Sequence, residues 1–318
     1  MDADFIQQAR AYKNELIAHL FGRPETPDED DQASLLRQIP QGSNIVGVGF
    51  GHKMTQGTQS KEEPVIRIYV KVKLPLAEIA PAFRIPPEIN GIETDVIEVG
   101  TLEPFAPCGV SVSHQQGKPG TIGCLVRKTN GSSNADFILS CNHVLANSNR
   151  ARMGDFIVQP AISDGGTQVV AQLSDFQPLN FTGGKNFMDA AIAQVFNAGT
   201  ITPDIKNIGR LNPQPLAAQR GQSVIKNGRT TGFTQGIIRD PLVDMSIPYP
   251  GSGFALLEDH ILIDNRAGGS FSLVGDSGSL VVESTSKRPV GLLAAGGTGF
   301  TLASPIAPIL ARFQVRIV

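Results

Sequence analysis

From about residue 105 to residue 318, apolar residues recur in short runs separated by Gly, Asn, Asp and Pro. Examples are TIGCLVR, DFILSC, TQVVAQL, MDAAIAQV, GFTQGII, HILID, SLVVE and VGLLAAG. Short β-rich runs with turn signals between them predict a sandwich or a barrel. The final stretch, SPIAPILARFQV, carries Pro near its start and then Ile306, Ile309, Leu310 and Phe313. That spacing predicts one closing helix.

The pattern upstream is different. NIVGVGFGHK and PVIRIYVKVK read as strands, the second placing Ile66, Ile68, Val70 and Val72 on one face. The apolar piece LPLAEIAPAF follows, and ETDVIEVG reads as a further strand. A small α+β domain is expected here. At residues 2–22, Phe5, Ala9, Tyr12, Leu16 and Leu20 recur in helical steps. The Pro-containing, acidic RPETPDEDDQA after it reads as a linker. The expected division is a helix and linker at 1–40, the α+β domain at 41–104 and the β-rich domain at 105–318.

Gly (34) and Pro (22) are both abundant, which suits a protein of many turns. A net charge of −2 leaves no basic excess for nucleic acid or an anionic membrane. There is no run of 18 apolar residues, and the N-terminal stretch begins with acids and lacks an unbroken apolar segment. A cytoplasmic protein is therefore expected. Three cysteines, Cys108, Cys124 and Cys141, do not make a disulfide framework. One bridge is allowed, but free thiols are the simpler reading.

Three segments carry chemistry. In VGDSGSLVV, Ser277 sits on a Gly-flanked turn before a strand. A nucleophilic serine needs an exposed hydroxyl and backbone N–H groups aimed at the developing oxyanion, here those of Gly275 and Ser277. The alternative is an ordinary Gly-Ser turn. In ILSCNHVLA, His143 follows a strand; alone, a surface or core histidine is the commoner case. In MDAAIAQV, Asp189 opens an apolar segment. A buried carboxylate there needs a donor, and a histidine ring N–H would fix the tautomer that base catalysis requires. Alone, Asp189 reads as a cap or strand-edge residue. Together the three occur in the order His, Asp, Ser, as in the chymotrypsin arrangement of the triad. Cys124, Cys141 and His143 as zinc ligands form a weaker alternative, since no C-x-x-C pair is present.

SCNHVLA, FMDAAIAQV and GDSGSLVV resemble the His, Asp and Ser motifs of the trypsin-like (chymotrypsin-fold) serine proteases. KNGRTTGFTQGII resembles the segment opening the second barrel in bacterial members. The whole chain resembles bacterial proteins related to the plant NARROW LEAF serine proteases. The resemblance implies a mainly β fold: a double antiparallel β-barrel of six strands each, with the N-terminal helix and small α+β domain in front. It implies that Asp276 latches the oxyanion loop onto an internal cation, Lys226 or Arg229. It also implies that Ala294, Ala295 and Gly296 form a wall of the substrate pocket, with Phe271 at its base.

The expected function is a serine endopeptidase that cuts polypeptide substrates after small or apolar residues. His143, Asp189 and Ser277 are its triad, and no metal or other cofactor is needed. The alternative is a catalytically weak binding or scaffold protein on the same fold. Residues 1–104 are expected to restrain or direct the protease, with a homo-oligomer through the N-terminal region left open.

Overall fold

The computed structural model describes residues 44–318, apart from 56, 57, 82, 83, 90, 101–105, 131–133, 266–268 and 298. The helix expected at 2–22 and its linker lie outside the described residues. The chain divides into two compact units, 1–103 and 104–318.

In the first unit, strands Ile45–Thr55 and Thr58–Val70 pair antiparallel, and Ile92–Glu98 joins the second of them in parallel. Glu88–Ile89 completes a four-stranded sheet at its edge. Strand alternation sends Ile66, Ile68 and Val70 into one buried cluster with Ile45 and Ile89. Val72 does not join them: the strand ends at Val70, and Val72 is 51% exposed. The apolar piece LPLAEIAPAF forms one 3-10 turn at Leu76–Glu78. Pro81 follows it and lacks the N–H that a longer helix would use. Among the described residues this unit is thus a mixed sheet with little helix.

The second unit is mainly β and holds two barrel-like sheets. The first has eight strands, every neighbouring pair antiparallel. Its order is Val315–Ile317, Cys124–Lys128, Phe137–Ser140, Ala191–Val195, Gln168–Phe176, Phe156–Gln159, Ser111–His114 and Gly120–Thr121. The other sheet runs Gly253–Asn265, Gly232–Tyr249, Ser223–Gly228, Leu280–Glu283, Pro289–Gly296 and Thr301–Pro305. Gly253–Asn265 also pairs with Thr301–Pro305, which closes these six strands on themselves. The short strand Lys185–Asn186 adds to the outside in parallel. The six-strand count expected for each barrel therefore describes the second. The first gains two short strands, Gly120–Thr121 and Val315–Ile317, too brief to show periodicity.

Alternate side chains of two strands feed two cores. Leu280, Val282 and Leu292 belong to the large cluster of the first sheet, whereas Val281, Val290 and Leu293 belong to that of the second. A strand buried on both faces reads as an unbroken apolar run, which is why SLVV and VGLLAA do not alternate. The closing helix is Ile306–Phe313, and it buries Ile306, Ile309, Leu310 and Phe313 at the expected steps. Gln314, with φ of 52°, ends it, and the chain re-enters the first sheet against Cys124–Lys128. Phe313→Ala should therefore lower unfolding stability by about 3–5 kcal/mol in urea titration, since its side chain fills a core position.

Candidate active site

His143 and Asp189 are 46 residues apart but are carried by adjacent strands. Phe137–Ser140 pairs with Ala191–Val195, and Ser140 faces Ala191. The residues just past that pair, His143 on the one-turn helix Asn142–Leu145 and Asp189 before its strand, consequently meet. His143 Nδ1 lies 2.5 Å from Asp189 Oδ2, and the His143 backbone N–H donates to Oδ1 at 3.2 Å. The Tyr249 hydroxyl donates to Oδ2 at 2.7 Å. Asp189 is fully buried, while the His143 side chain is 21% exposed. Burial opposes ionisation of Asp189. The charge and hydrogen bond of His143, the Tyr249 hydroxyl and the His143 N–H outweigh it and hold the carboxyl below its usual range.

The chain leaves this helix through three successive left-handed residues, Asn147, Ser148 and Asn149. Such backbone is costly outside glycine, though less so for Asn. Reciprocal amide bonds hold it. Asn142 Nδ2 donates to Asn149 Oδ1 at 2.8 Å, the Asn149 N–H donates to Asn142 Oδ1 at 3.1 Å, and Asn149 Nδ2 donates to the Leu179 carbonyl at 2.7 Å.

Ser277 is half-buried on the loop between Phe271 and strand Leu280–Glu283. The carbonyls of this loop are turned into the protein. Thr230 Oγ1 donates to Val274 O at 2.8 Å, and the Ser279 N–H and Oγ donate to Asp276 O at 3.0 and 2.6 Å. In a trans peptide the N–H points opposite to the C=O. The N–H groups of Gly275 and Ser277 belong to these same two peptide units and are thereby directed away from the anchors. Among the described residues neither donates a hydrogen bond within the chain. Gly275 has φ of 100°, and a Cβ there would meet Thr230 Oγ1 at 2.4 Å. Gly278, with φ of 90°, would run into Ser140 Oγ at 2.0 Å.

Asp276 is wholly buried and collects the donors of this region. Thr230 N–H and Thr231 N–H donate to Oδ1 at 2.8 and 3.1 Å. Thr231 Oγ1 and Leu273 N–H donate to Oδ2 at 2.7 and 2.9 Å. Lys226 Nζ, also wholly buried, stands 3.5 Å from Oδ2. Arg229, the other cation named from sequence, pairs with Asp164 instead, with Nε at 2.9 Å from Oδ2, while its Nη1 donates to Thr230 Oγ1 at 3.2 Å beside Gly275. It sits in the turn beyond strand Ser223–Gly228, so its side chain escapes the interior that receives Lys226.

The His and Ser loops share anchors. Cys141 Sγ and the Gly278 N–H both bond the Leu293 carbonyl, at 3.1 and 2.8 Å. Thr121 accepts from Ser140 Oγ through its carbonyl at 2.7 Å and donates its N–H to Ser277 O at 2.8 Å. Among the described residues no hydrogen bond joins Ser277 Oγ to His143; that contact is often long before substrate binds.

Of the expected pocket residues, Phe271 and Ala294 are buried in separate apolar clusters, Ala295 is half-buried and Gly296 is exposed. Lys226 Nζ lies 5.8 Å from the centre of the Phe271 ring. The three cysteines are free and buried. Burial pushes the Cys108 thiol up to about 12, and those of Cys124 and Cys141 well above the ordinary value. Ligand atoms of Cys141, His143 and Asp189 fall within 4.8 Å of one another, a group that excludes Cys124. Tyr249, His260 and Ser304 stand in none of the three sequence motifs yet join the network around Asp189. Ser304 Oγ accepts the Asp189 N–H at 3.2 Å and bonds buried His260 Nε2 at 3.0 Å.

The model of the Nal1 C-terminal domain family matches residues 182–302. No curated protein matches the chain. Among solved structures, the chain is similar to Thermobifida fusca protease A at 20% identity, over 68% of this chain and 99% of that one, with a TM-score of 0.47. It is similar to Cellulomonas bogoriensis chymotrypsin at 19% identity, over 67% and 98%, with a TM-score of 0.46. It is also similar to Nocardiopsis protease (NAPase) at 17% identity, over 67% and 99%, with a TM-score of 0.48. No helix among the described residues is long and apolar enough to cross a membrane.

The Asp164–Arg229 pair yields a pH prediction. Hydrogen bonds from Arg229, then Ser111, pull the Asp164 carboxyl down to about 2. A depressed carboxyl contributes stability that is complete above the unfolded value of about 4 and fades as pH falls toward 2. Denaturation midpoints should drop across that window in the wild type. Arg229→Met should flatten the drop; an unchanged acid profile contradicts the assignment.

Proposed function

We propose that this chain is a serine endopeptidase working through Ser277, His143 and Asp189, and akin to bacterial proteins related to the plant NARROW LEAF serine proteases. One observation carries the reading: a fully buried carboxylate lies 2.5 Å from Nδ1 of a partly exposed histidine. A surface pair would not need burial, and a core histidine would not face solvent. The inward-turned carbonyls of the Ser277 loop support it.

In this reading Asp189 holds the His143 proton on Nδ1 and leaves Nε2 free as a base. Ser277 Oγ attacks the peptide carbonyl and gives its proton to Nε2. The N–H groups of Gly275 and Ser277 bind the oxyanion, and the carboxylate of Asp189 stabilises the imidazolium. Collapse expels the amine with a proton from Nε2, leaving an acyl-Ser277 ester. Water, deprotonated by His143, then hydrolyses the ester by the same steps in reverse. Asp276 acts as a latch through Lys226 and moves no proton.

The side chain before the scissile bond is expected to be small or apolar. Phe271, Ala294, Ala295 and Gly296 offer no carboxylate to match a cation, and burying an unpaired charge is costly. Ser277→Ala should abolish hydrolysis of fluorogenic peptides while circular dichroism stays native. Asp189→Asn should lower kcat by about 10⁴, the loss seen when the wrong tautomer is favoured. Retained turnover in folded Ser277→Ala overturns the mechanism. A peptide-library profile dominated by Arg or Lys overturns the specificity.

A further inference from the structure

The hairpin of strands Gly232–Tyr249 and Gly253–Asn265 is longer than barrel closure requires. Residues 223–228 pair with its base, at 232–237, and Thr301–Ala303 pairs with Ile261–Ile263. Beyond that, pairs such as Met245↔Leu257, Ile247↔Ala255 and Tyr249↔Gly253 form an arm, with Lys185–Asn186 alongside Leu256 and Leu257. The tip of the arm lies at the His–Asp pair. Tyr249 is buried there, its hydroxyl 2.7 Å from Asp189 Oδ2 and its ring edge-on to His143 at 5.7 Å. The Phe181 ring backs it at 5.5 Å. Arg150, the residue after the left-handed Asn147–Asn149 segment, donates to the Gly251 carbonyl and to Ser252 Oγ. The loop that follows His143 thus holds the hairpin tip.

We propose that Tyr249 is a positioning residue of the triad, brought from the second barrel on this hairpin arm to fix Asp189 against His143. The role rests on the triad reading above. Oδ2 is shared between the phenol and the imidazole: the phenol occupies one lone-pair direction and leaves the other for Nδ1–H. Among the described residues, the remaining groups facing Asp189 are the Cys141 thiol and, through Ser304, His260. Burial, then the charge of Asp189, raises the Tyr249 phenol well above its ordinary value, so it is a donor across the working pH range.

Tyr249→Phe in the full chain keeps the ring and removes only this bond. Wild type and variant are compared by the rate of labelling at Ser277 with a fluorophosphonate from about pH 5 to 9, and by kcat and KM on a peptide. Loss of a bond to a charged group should lower kcat and the labelling rate about tenfold at neutral pH, with KM little changed. The acid limb should move to higher pH, because Oδ2 then offers its charge to Nδ1–H alone. Arg150→Ala, which leaves the phenol and triad intact but frees the tip, should shift the limb in the same direction by less. It decides the matter if Tyr249→Phe does not fold. A labelled wild type whose variants keep its rate and acid limb overturns the positioning role alone. A wild type not labelled at Ser277 overturns the triad reading and this role with it.

Discussion

The wholly buried carboxylate of Asp276 is where the geometry of the site begins. Leaving such a charge unpaired would cost several kcal/mol. Four hydrogen bonds and the Lys226 ammonium meet it, from Leu273 on its own loop and from residues 226–231 across from it. Satisfying this one group forces the loop at 273–279 against the turn at 228–232. The same turn supplies Thr230 Oγ1 to Val274 O, which turns the next N–H, that of Gly275, the other way. Lys226 is itself disfavoured as a cation by burial, a penalty that Asp276 opposes. A buried pair of this kind adds little net stability; its consequence here is a single loop conformation.

The triad proposed here would need groups from distant parts of the chain held closely together, and shared acceptors tie the loops that carry them. The Leu293 carbonyl takes one donor from the His side and one from the Ser side. Thr121 does the same with its backbone. Because Leu292 and Leu293 project into the two separate cores, the strand that presents this carbonyl is packed on both faces. Rigidity of the two apolar clusters is thereby passed directly to the polar site between them.

Much of this was legible in the residues. His143, Asp189 and Ser277 stood out because each stands at an end of an apolar run, the first after a strand and the other two before one. The closing helix was legible because Ile306, Ile309, Leu310 and Phe313 repeat at one period. Tyr249 was not, since it lies in the turn-like IPYPGSG and its partner is 60 residues away. His260 gave no signal because pairing of distant strands brings Ser304 to it, and it meets Asp189 only through Ser304 Oγ. The choice between Lys226 and Arg229 depended on where a strand ends, which periodicity does not resolve to one residue. The helix implied by an α+β unit at 41–104 amounts, among the described residues, to one 3-10 turn, since Pro81 lacks the N–H that would carry it further.

The most direct test of the account is the site of covalent modification. Native protein incubated with a fluorophosphonate, digested and mapped by mass spectrometry, should carry one adduct, on Ser277, and His143→Ala should carry almost none in the same time. An adduct on a different residue, or an unmodified Ser277 in protein shown to be folded, would contradict it.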